Sequence, residues 1–323
     1  MSALAPARPD ARALRWLPRL NKRFLIDYMA WVLLLALALI GVATNGSLFA
    51  SGSNLNNIVE QSVIIGLLAI GQFVVILTGG IDLSVGSAMA LTAMVVGVSM
   101  PLGTPGAVLM AVLTGTLVGL ASGLTVVYGG LPPFIVTFAM MAVARGLALT
   151  ITSGKSVQVL DNSLLGLGFG WQKVAVWALA IAVVWFILTR TRTGVRVYAV
   201  GGNVEAARVS GISTPRVIVL VYVISGLCAA TAGILSFARN GGVAVPTSGQ
   251  GYEMETIAAV VLGGVNLLGG EGRFVGAIAG TVFVVMLRNI LDLSNADAFW
   301  SFCVIGVVLW GAVMLRGALE RMR

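Results

Sequence analysis

The stretch FLIDYMAWVLLLALALIGVAT, residues 24–44, decides the fold class of this chain. Asp27 is its only charged residue, and about 20 consecutive apolar residues are enough for a helix to cross a bilayer. The apolar core of a secretory signal peptide is shorter, roughly 7 to 15 residues. The stretch therefore predicts an uncleaved helix that spans a membrane.

The rest of the chain has the same apolar character. Of its 323 residues, 58% are hydrophobic and only 10% are charged, whereas about a quarter of the residues in a soluble domain are charged. We predict an all-α, polytopic integral membrane protein with about ten transmembrane helices and no second folded domain. The eighth and ninth spans contain enough glycine to be short, broken or re-entrant. The predicted spans are 24–44, 58–78, 82–100, 106–128, 132–152, 172–189, 217–238, 253–269, 272–291 and 297–315.

The basic residues predict the orientation of these spans. Positions 1–23 carry Arg8, Arg12, Arg15, Arg19, Lys22 and Arg23 against Asp10 alone. Arginine and lysine concentrate in cytoplasmic segments, and an even number of spans leaves only Lys155, Lys173 and Arg239 in outside loops. We therefore expect both termini in the cytoplasm, with a basic tail at 1–23, a single transmembrane domain at 24–316 and a short tail at 317–323.

The residue inventory excludes several kinds of chemistry. The chain has no histidine, which rules out histidine-based triads, proton shuttles and histidine-ligated metal sites. Its two cysteines, Cys228 and Cys303, lie in apolar runs, where cysteine behaves as a small hydrophobe. The nearest match to a phosphate-binding loop is Gly154-Lys155-Ser156, but Leu149 stands where the first glycine belongs. We predict no enzymatic activity, no metal site and no bound cofactor.

The longest hydrophilic stretch between the ends of the chain is RTRTGVRVYAVGGNVEAARVSGISTPR at 190–216. Gly201, Gly202 and Asn203 form a turn signal, and Asn203 is a suitable N-cap for a short helix. A short exposed helix at a cytoplasmic elbow is a docking device. A solvated loop is the alternative, and spacing alone favours it. The helix would contain Glu205, Ala206, Ala207 and Arg208 and stop at Gly211.

Two glycine-rich turns echo each other. Gly79-Gly80-Ile81-Asp82-Leu83 and Gly263-Gly264-Val265-Asn266-Leu267 each follow a span that runs from outside to inside. A duplicated unit is one interpretation, as in many transporters. Asp82 and Ser84 open the third span, where capping of the helix amides is favoured over a flexing elbow or a partner contact.

Charged residues near the outside ends of spans have two interpretations each. Glu253 and Glu255 begin the eighth span, where they suit either helix capping or the mouth of a pathway. Arg145 and Arg288 fall within predicted spans and can reach the interface or pair with an acid. Arg288 lies four residues before Asp292, so a local ion pair is expected.

Three blocks of sequence carry a resemblance to a known family. They are TGGIDLSVGS at 78–87, GVRVYAVGGNVEAARVSGI at 194–212 and PTSGQGYEMETIAAVVLGGVNLLGGEGR at 246–273. In these blocks and in the order of its spans, the chain after residue 50 resembles the inner-membrane permease subunits of ATP-binding-cassette (ABC) importers for simple sugars. It is most similar to the ribose-type permeases. Blocks of this length are far more specific than a six-residue motif.

The resemblance implies a set of partners. Two permeases, identical or different, would sit on cytoplasmic ATPase subunits that bind ATP and Mg, and a periplasmic sugar-binding protein would deliver the cargo. The helix at 203–211 would be the coupling helix that enters a groove on the ATPase, because Glu205, Ala206, Ala207 and Gly211 match that motif. This favours docking over a solvated loop.

The expected function is therefore that of a permease in the bacterial inner membrane that forms the path of a monosaccharide, ribose or a related pentose or hexose. The alternative is a secondary transporter driven by an ion gradient, which usually places several ionisable groups near the membrane midplane. The candidate coupling residues are Gly201, Gly202, Asn203, Glu205, Ala206, Ala207, Arg208 and Gly211. The candidate pathway or gating residues are Gly79, Gly80, Asp82, Ser84, Glu253, Glu255 and Asn266.

Overall fold

The computed structural model describes residues 22–160, 163–168 and 170–296, followed by residues 300, 303, 304, 306, 307, 310, 311 and 314. For residues 22–28 it describes the backbone alone. The predicted tail at 317–323, most of the tail at 1–23 and most of the predicted span at 297–315 lie outside the described residues.

The described part of the chain is built almost entirely of helices. They are α1 (Lys22–Phe49), α2 (Gly52–Leu77), α3 (Val85–Ser99), α4 (Gly103–Tyr128), α5 (Pro133–Thr150), α6 (Leu165–Gly168), α7 (Gln172–Arg190), α8 (Arg192–Gly202), α9 (Val204–Val209), α10 (Thr214–Arg239), α11 (Tyr252–Leu262) and α12 (Phe274–Leu293). A 3-10 helix, Met100–Leu102, joins α3 to α4. Two short strands, β1 (Val157–Gln158) and β2 (Val243–Ala244), pair antiparallel and are the exception to the predicted all-α class.

Within the described residues, seven helical stretches are long and apolar enough to cross a membrane. The stretch Val85–Tyr128 contains two helices, α3 and α4, that pack on each other. The prediction of a polytopic helical membrane protein is therefore confirmed, and the count of about ten spans stays a prediction. The stretches are Met29–Phe49, Gly52–Leu77, Val85–Tyr128, Pro133–Thr150, Gln172–Arg190, Thr214–Arg239 and Phe274–Leu293.

The predicted eighth span is much shorter than a membrane crossing. α11 has 11 residues and is therefore about 16 Å long, half the thickness of the apolar core of a bilayer. The chain turns at Gly263 and Gly264 before α12 begins. The expectation of a short or broken helix is correct here but wrong for the ninth span, because α12 runs unbroken for 20 residues.

α2 and α10 form the centre of the bundle. α10 packs on α2, α3 and α4, and α12 packs on α1, α2 and α11. Glycines make the closest approaches: Gly115, Gly119 and Gly123 of α4 lie directly against the backbone of α10. Gly276 and Gly280 of α12 lie in the same way against α11. The role in helix packing that their four-residue spacing predicts is confirmed.

The outer helices of the bundle carry exposed apolar side chains. Leu35 and Leu39 of α1, Leu117 of α4, Phe138 of α5 and Leu179 of α7 are each more than half exposed. An apolar surface of this extent is typical of a protein that faces lipid.

The two ends of the bundle differ in charge. One end, called the basic end below, contains residues 78–80, α8, α9 and residues 263–273, which contact one another. The opposite end contains the start of α2 and the last turns of α10 and α12. The arginines of the basic end are Arg190, Arg192, Arg196, Arg208, Arg216 and Arg273.

Candidate functional site

Residues 190–216 fold as the helices α8 and α9 at the basic end. Asn203 caps α9, because its Oδ1 accepts a hydrogen bond from the Ala206 N–H at 2.9 Å. The helix ends in a Schellman turn, in which the Ile212 N–H donates to the Ala207 carbonyl at 3.0 Å and Gly211 has a φ of 79°. The short helix predicted from the sequence is confirmed, together with its cap and its stop.

α9 presents a charged and partly apolar outer face. Glu205 and Arg208 lie 3.7 Å apart with both side chains 72% exposed, and Val209 is 82% exposed. An ion pair this exposed contributes little to folding stability, so the face is available for contact with a partner. Ala206 is also exposed, but Ala207 is buried against the bundle. Ala207, one of the coupling candidates, therefore anchors the helix to the bundle and does not lie on its outer face.

Just before α9, three segments meet with almost no side chains between them. A Cβ on Gly201 would overlap the carbonyl oxygen of Leu77, and that oxygen accepts a hydrogen bond from the Gly270 N–H at 2.9 Å. A Cβ on Gly269 would lie 3.0 Å from the Gly201 carbonyl oxygen. We call this contact of Leu77, Gly201, Gly269 and Gly270 the glycine joint. It connects α8 to the end of α2 and to residues 263–273.

Both glycine-rich turns are closed by the same type of hydrogen bond, although the left-handed glycine is the first of its pair after α2 and the second after α11. After α2 the Gly80 N–H donates to the carbonyl five residues back, and the intervening Gly79 has a φ of 77°. After α11 the Val265 N–H makes the equivalent bond, and Gly264 has a φ of 97°. Both are Schellman turns that need a glycine in the left-handed region.

The resemblance continues into the next residues. Asp82 Oδ1 accepts a hydrogen bond from the Ser84 N–H at 2.9 Å, and Asn266 Oδ1 accepts one from the Leu268 N–H at 3.0 Å. Each is an Asx turn at the same distance from its glycine pair. The shared pair of turns supports the interpretation that the chain contains a duplicated unit.

Asp82 lies inside the bundle and is only 3% exposed. Its Oδ1 also accepts the Ser84 hydroxyl at 2.6 Å, and its Oδ2 accepts the Ser225 hydroxyl at 2.7 Å. Ser225 lies near the middle of α10, so Asp82 ties the turn after α2 to the centre of the bundle. The predicted joint capping of α3 is therefore wrong for Ser84, whose hydroxyl donates to Asp82 and does not cap the helix.

Glu253 connects the first turns of α11 and α3. Its Oε1 accepts a hydrogen bond from the Gly251 N–H at 3.3 Å, so the predicted capping role is confirmed. A Cβ on Gly86 of α3 would lie 3.0 Å from Glu253 Oε2. Arg145 of α5 fixes the segment before α11 by donating to the Pro246 carbonyl at 2.6 Å. Glu253 is thus half-buried between helices.

Glu255, the second acid of α11, forms an ion pair with Arg288 of α12 at 2.6 Å. The predicted pair between Arg288 and Asp292 is wrong, because α11 packs beside α12 and brings Glu255 onto the guanidinium. At the same end of the bundle, Glu60 of α2 pairs with both Lys173 and Arg239. Sequence reasoning missed Glu60, and the available signal was a single acid within a predicted span.

The structure therefore sorts the candidate residues into three places. The coupling candidates on α8 and α9 share the basic end with Gly79, Gly80 and Asn266. Asp82, Ser84 and Glu253 lie in the interior, around the start of α3. Glu255 lies at the opposite end, beside Arg288. The glycine joint is the structural connection between the exposed α9 and the helices of the interior.

An apolar helical bundle with buried charges and an exposed polar helix at one end is typical of a class, the polytopic membrane transport proteins. Residues 54–314 match the family described as branched-chain amino acid transport system / permease component. The chain belongs to this family. The match covers most of the chain, including both glycine-rich turns and the segment 190–216.

Individual relatives are similar over almost their whole length. The chain is 38% identical over 309 residues to the ribose import permease protein RbsC of Escherichia coli (strain K12), which covers 91% of this chain and 95% of that protein. It is 39% identical over 276 residues to RbsC of Bacillus subtilis (strain 168), covering 83% and 85%. It is 35% identical over 286 residues to the D-allose transport system permease protein AlsC of Escherichia coli (strain K12), covering 85% and 87%. No solved structure matches. The resemblance to sugar importer permeases is confirmed.

Proposed function

We propose that this chain is the transmembrane permease subunit of an ABC importer and forms the path for a monosaccharide, ribose or a related pentose or hexose. A periplasmic binding protein delivers the sugar, and hydrolysis of ATP with Mg on a partner ATPase drives transport. The observation that carries the proposal is the exposed, capped α9 joined through Gly201 to α2. The similarity to ribose and allose permeases supports the substrate class.

The proposal includes an orientation in the bacterial inner membrane. The basic end faces the cytoplasm, since arginines concentrate there, and a permease domain at 24–316 crosses the membrane about ten times. The tails at 1–23 and 317–323 are then cytoplasmic. A second permease copy, identical or different, completes the pathway, and the permease itself catalyses no reaction and binds no cofactor.

In this proposal, the glycine joint transmits movement from α9 to the bundle. Closure of the ATPase pair displaces α9, and α8 transmits that displacement to the end of α2 and to residues 263–273 because their backbones are in contact at Gly201. Packed backbones without flexible side chains between them move together. The turn at Gly79 leads on to Asp82 inside the bundle, so a shift at the basic end reaches the helices that line the path.

A secondary transporter is the competing function, and buried Asp82 is the feature that would serve one, because ion-coupled carriers use buried carboxylates. The Asp82 carboxylate, however, is already held by Ser84 and Ser225, and the family match favours the importer. Sugar uptake into vesicles that contain the permease and an ion gradient, but no ATPase, would support the carrier instead.

The test combines co-purification with uptake. The unmodified chain should co-purify with an ATPase subunit and support ATP-driven sugar uptake in vesicles. Glu205→Arg should stay folded and inserted but lose both, because it reverses the charge on the outer face of α9. The control is Lys155→Glu, a charge reversal at an exposed residue outside the spans and away from α9. Normal ATP-driven uptake by Glu205→Arg would contradict the docking role of α9.

A further inference from the structure

A cavity of about 350 Å³ opens at the end of the bundle opposite α9. It lies where the first turns of α2 meet the last turns of α12, with α10 and α11 beside them. Apolar side chains such as Ile65 form part of its wall. The polar part of the wall includes Asn54, Asn57, Gln61, Arg288, Asn289 and Asp292.

Part of this polar wall is fixed and part is free. The side-chain amides of Asn54 and Asn289 donate to each other at 3.0 and 2.7 Å and form a rigid base. Within the described part of the chain, the side chains of Asn57 and Gln61 make no hydrogen bond, and the carboxylate of Asp292 is in no ion pair. Two amides and a carboxylate are therefore available to a ligand as donors and acceptors.

The size and chemistry of the cavity fit one neutral polyhydroxylated molecule. Small-molecule sites usually have volumes of about 300 to 1,000 Å³, so this cavity is at the low end of the range. Amides and carboxylates bind vicinal hydroxyl groups, since they offer both donors and acceptors at short spacing. The net charge of the wall is low, because Arg288 is neutralised by Glu255. An anionic ligand would meet the unpaired Asp292 carboxylate, because both arginines of the wall, Arg239 and Arg288, are already paired with glutamates within the described part of the chain.

A second observation lies deeper on the same helix. Gln72 is fully buried in α2, and neither its Nε2 nor its Oε1 has a hydrogen-bond partner among the described residues. It follows Gln61 by three helical turns and lies on the same face of α2, about 16 Å further toward the basic end. A buried amide without a partner is destabilising, and its donor and its acceptor are both open to the hydroxyl groups of a ligand.

We propose that the cavity is a subsite for a single monosaccharide and that Gln72 binds the sugar at its next position along α2. The inference rests on the proposed function, because it names the place within the chain where that function's substrate is held. The sugar then follows a path that begins at Asn57 and Gln61, runs along one face of α2 and passes the buried amide of Gln72.

The first test measures protection of an introduced cysteine. In a Cys303→Ser background, which removes the exposed native thiol, Asn57→Cys is labelled with a thiol reagent in membranes that contain the full chain. D-ribose, D-allose and D-fructose are the probes. Labelling should slow about threefold when the sugar is at twice its Kd. Ser53→Cys, exposed on the same helix end and outside the cavity wall, should be labelled at an unchanged rate.

The second test separates transport from folding. Gln72→Leu should keep or raise the melting temperature, because it removes an unpartnered buried amide, and should lower ATP-driven uptake several-fold. Ser62→Ala is the matched control, since Ser62 is also buried and unpartnered among the described residues but lies on another face of α2. It should transport like the unmodified chain.

The outcomes distinguish this inference from the proposed function. Labelling of Asn57→Cys that no sugar slows, together with normal uptake by Gln72→Leu, would overturn the subsite while leaving the importer intact. Failure of the unmodified chain to take up sugar with its ATPase and binding protein would overturn the proposed function and, with it, the subsite.

Discussion

The backbone of Gly201 lies directly against the carbonyl oxygen of Leu77, so closely that a Cβ at position 201 would overlap that oxygen. The contact joins α8, which leads into the exposed α9, to the end of the central helix α2. The same oxygen accepts a hydrogen bond from the Gly270 N–H. A single backbone atom thus connects the segment that leads into α9 to two elements of the bundle.

Gly201→Ala is expected to lower both stability and transport. A methyl group forced into a packed contact costs about 1–3 kcal/mol, and here the neighbour is backbone, which cannot rotate away. The melting temperature of the purified chain in detergent should fall. ATP-driven uptake should fall further, because the substitution pushes apart the joint that transmits the displacement of α9 in the proposed mechanism.

The adjacent glycine supplies the matched control. Among the residues that the structure describes, a Cβ on Gly202 meets nothing within 4 Å, and Gly202 is not in the left-handed region. Gly202→Ala should therefore change the free energy of unfolding by no more than about 0.5 kcal/mol. Equal losses of stability in the two variants would show that the joint has no special role.

Ser225→Ala tests the hydrogen bond that holds Asp82 in the bundle. The substitution removes one of the three hydrogen bonds to this buried carboxylate and should cost about 1–2 kcal/mol. Ser62→Ala removes a buried hydroxyl that has no partner among the described residues, so it should be neutral or stabilising. Thermal unfolding of the two variants in the same detergent measures the difference, and equal melting temperatures would contradict the prediction.

The features that the sequence predicted correctly are those whose signals are local. Asn203 and Gly211 cap and stop α9 through hydrogen bonds to residues three to five positions away, so their spacing alone predicts the helix. The packing role of the glycines of α4 also follows from local spacing, because a four-residue repeat places them on one helix face. Membrane spans follow from composition over about 20 residues.

The features that could not be predicted from the sequence depend on tertiary packing. Glu60 pairs with Lys173 and Arg239, which lie 113 and 179 residues away in the sequence. No local pattern predicts these pairs. The burial of Asp82 could not be predicted either. Hydropathy places this charge between two spans but does not show that the chain turns back into the bundle there. The burial of Ala207 was not predictable for a similar reason: the motif gives the residue type, whereas burial depends on which side of α9 meets the bundle.

The two acids near Arg288 should differ in their effect on stability. Glu255 is buried and bonded to the guanidinium, so Glu255→Gln should destabilise the chain by about 1–3 kcal/mol, toward the lower end because Arg288 is partly exposed. Asp292→Asn should stay within about 0.5 kcal/mol, since Asp292 makes no ion pair in the described structure. A larger loss of unfolding free energy for Asp292→Asn, measured by denaturant or heat, would support the pair between Arg288 and Asp292 that the sequence suggested.

Glu60 should be coupled energetically to Lys173, because both side chains are shielded from water and directly bonded. Glu60→Gln leaves the buried lysine without a carboxylate and should cost about 3 kcal/mol. Adding Lys173→Met should recover much of that loss, since the second change removes the uncompensated charge, while Arg239, with 23% of its side chain exposed, retains water. A double-mutant cycle on the melting of the purified chain measures the coupling. Strictly additive effects would show that the pair does not stabilise this end of the bundle.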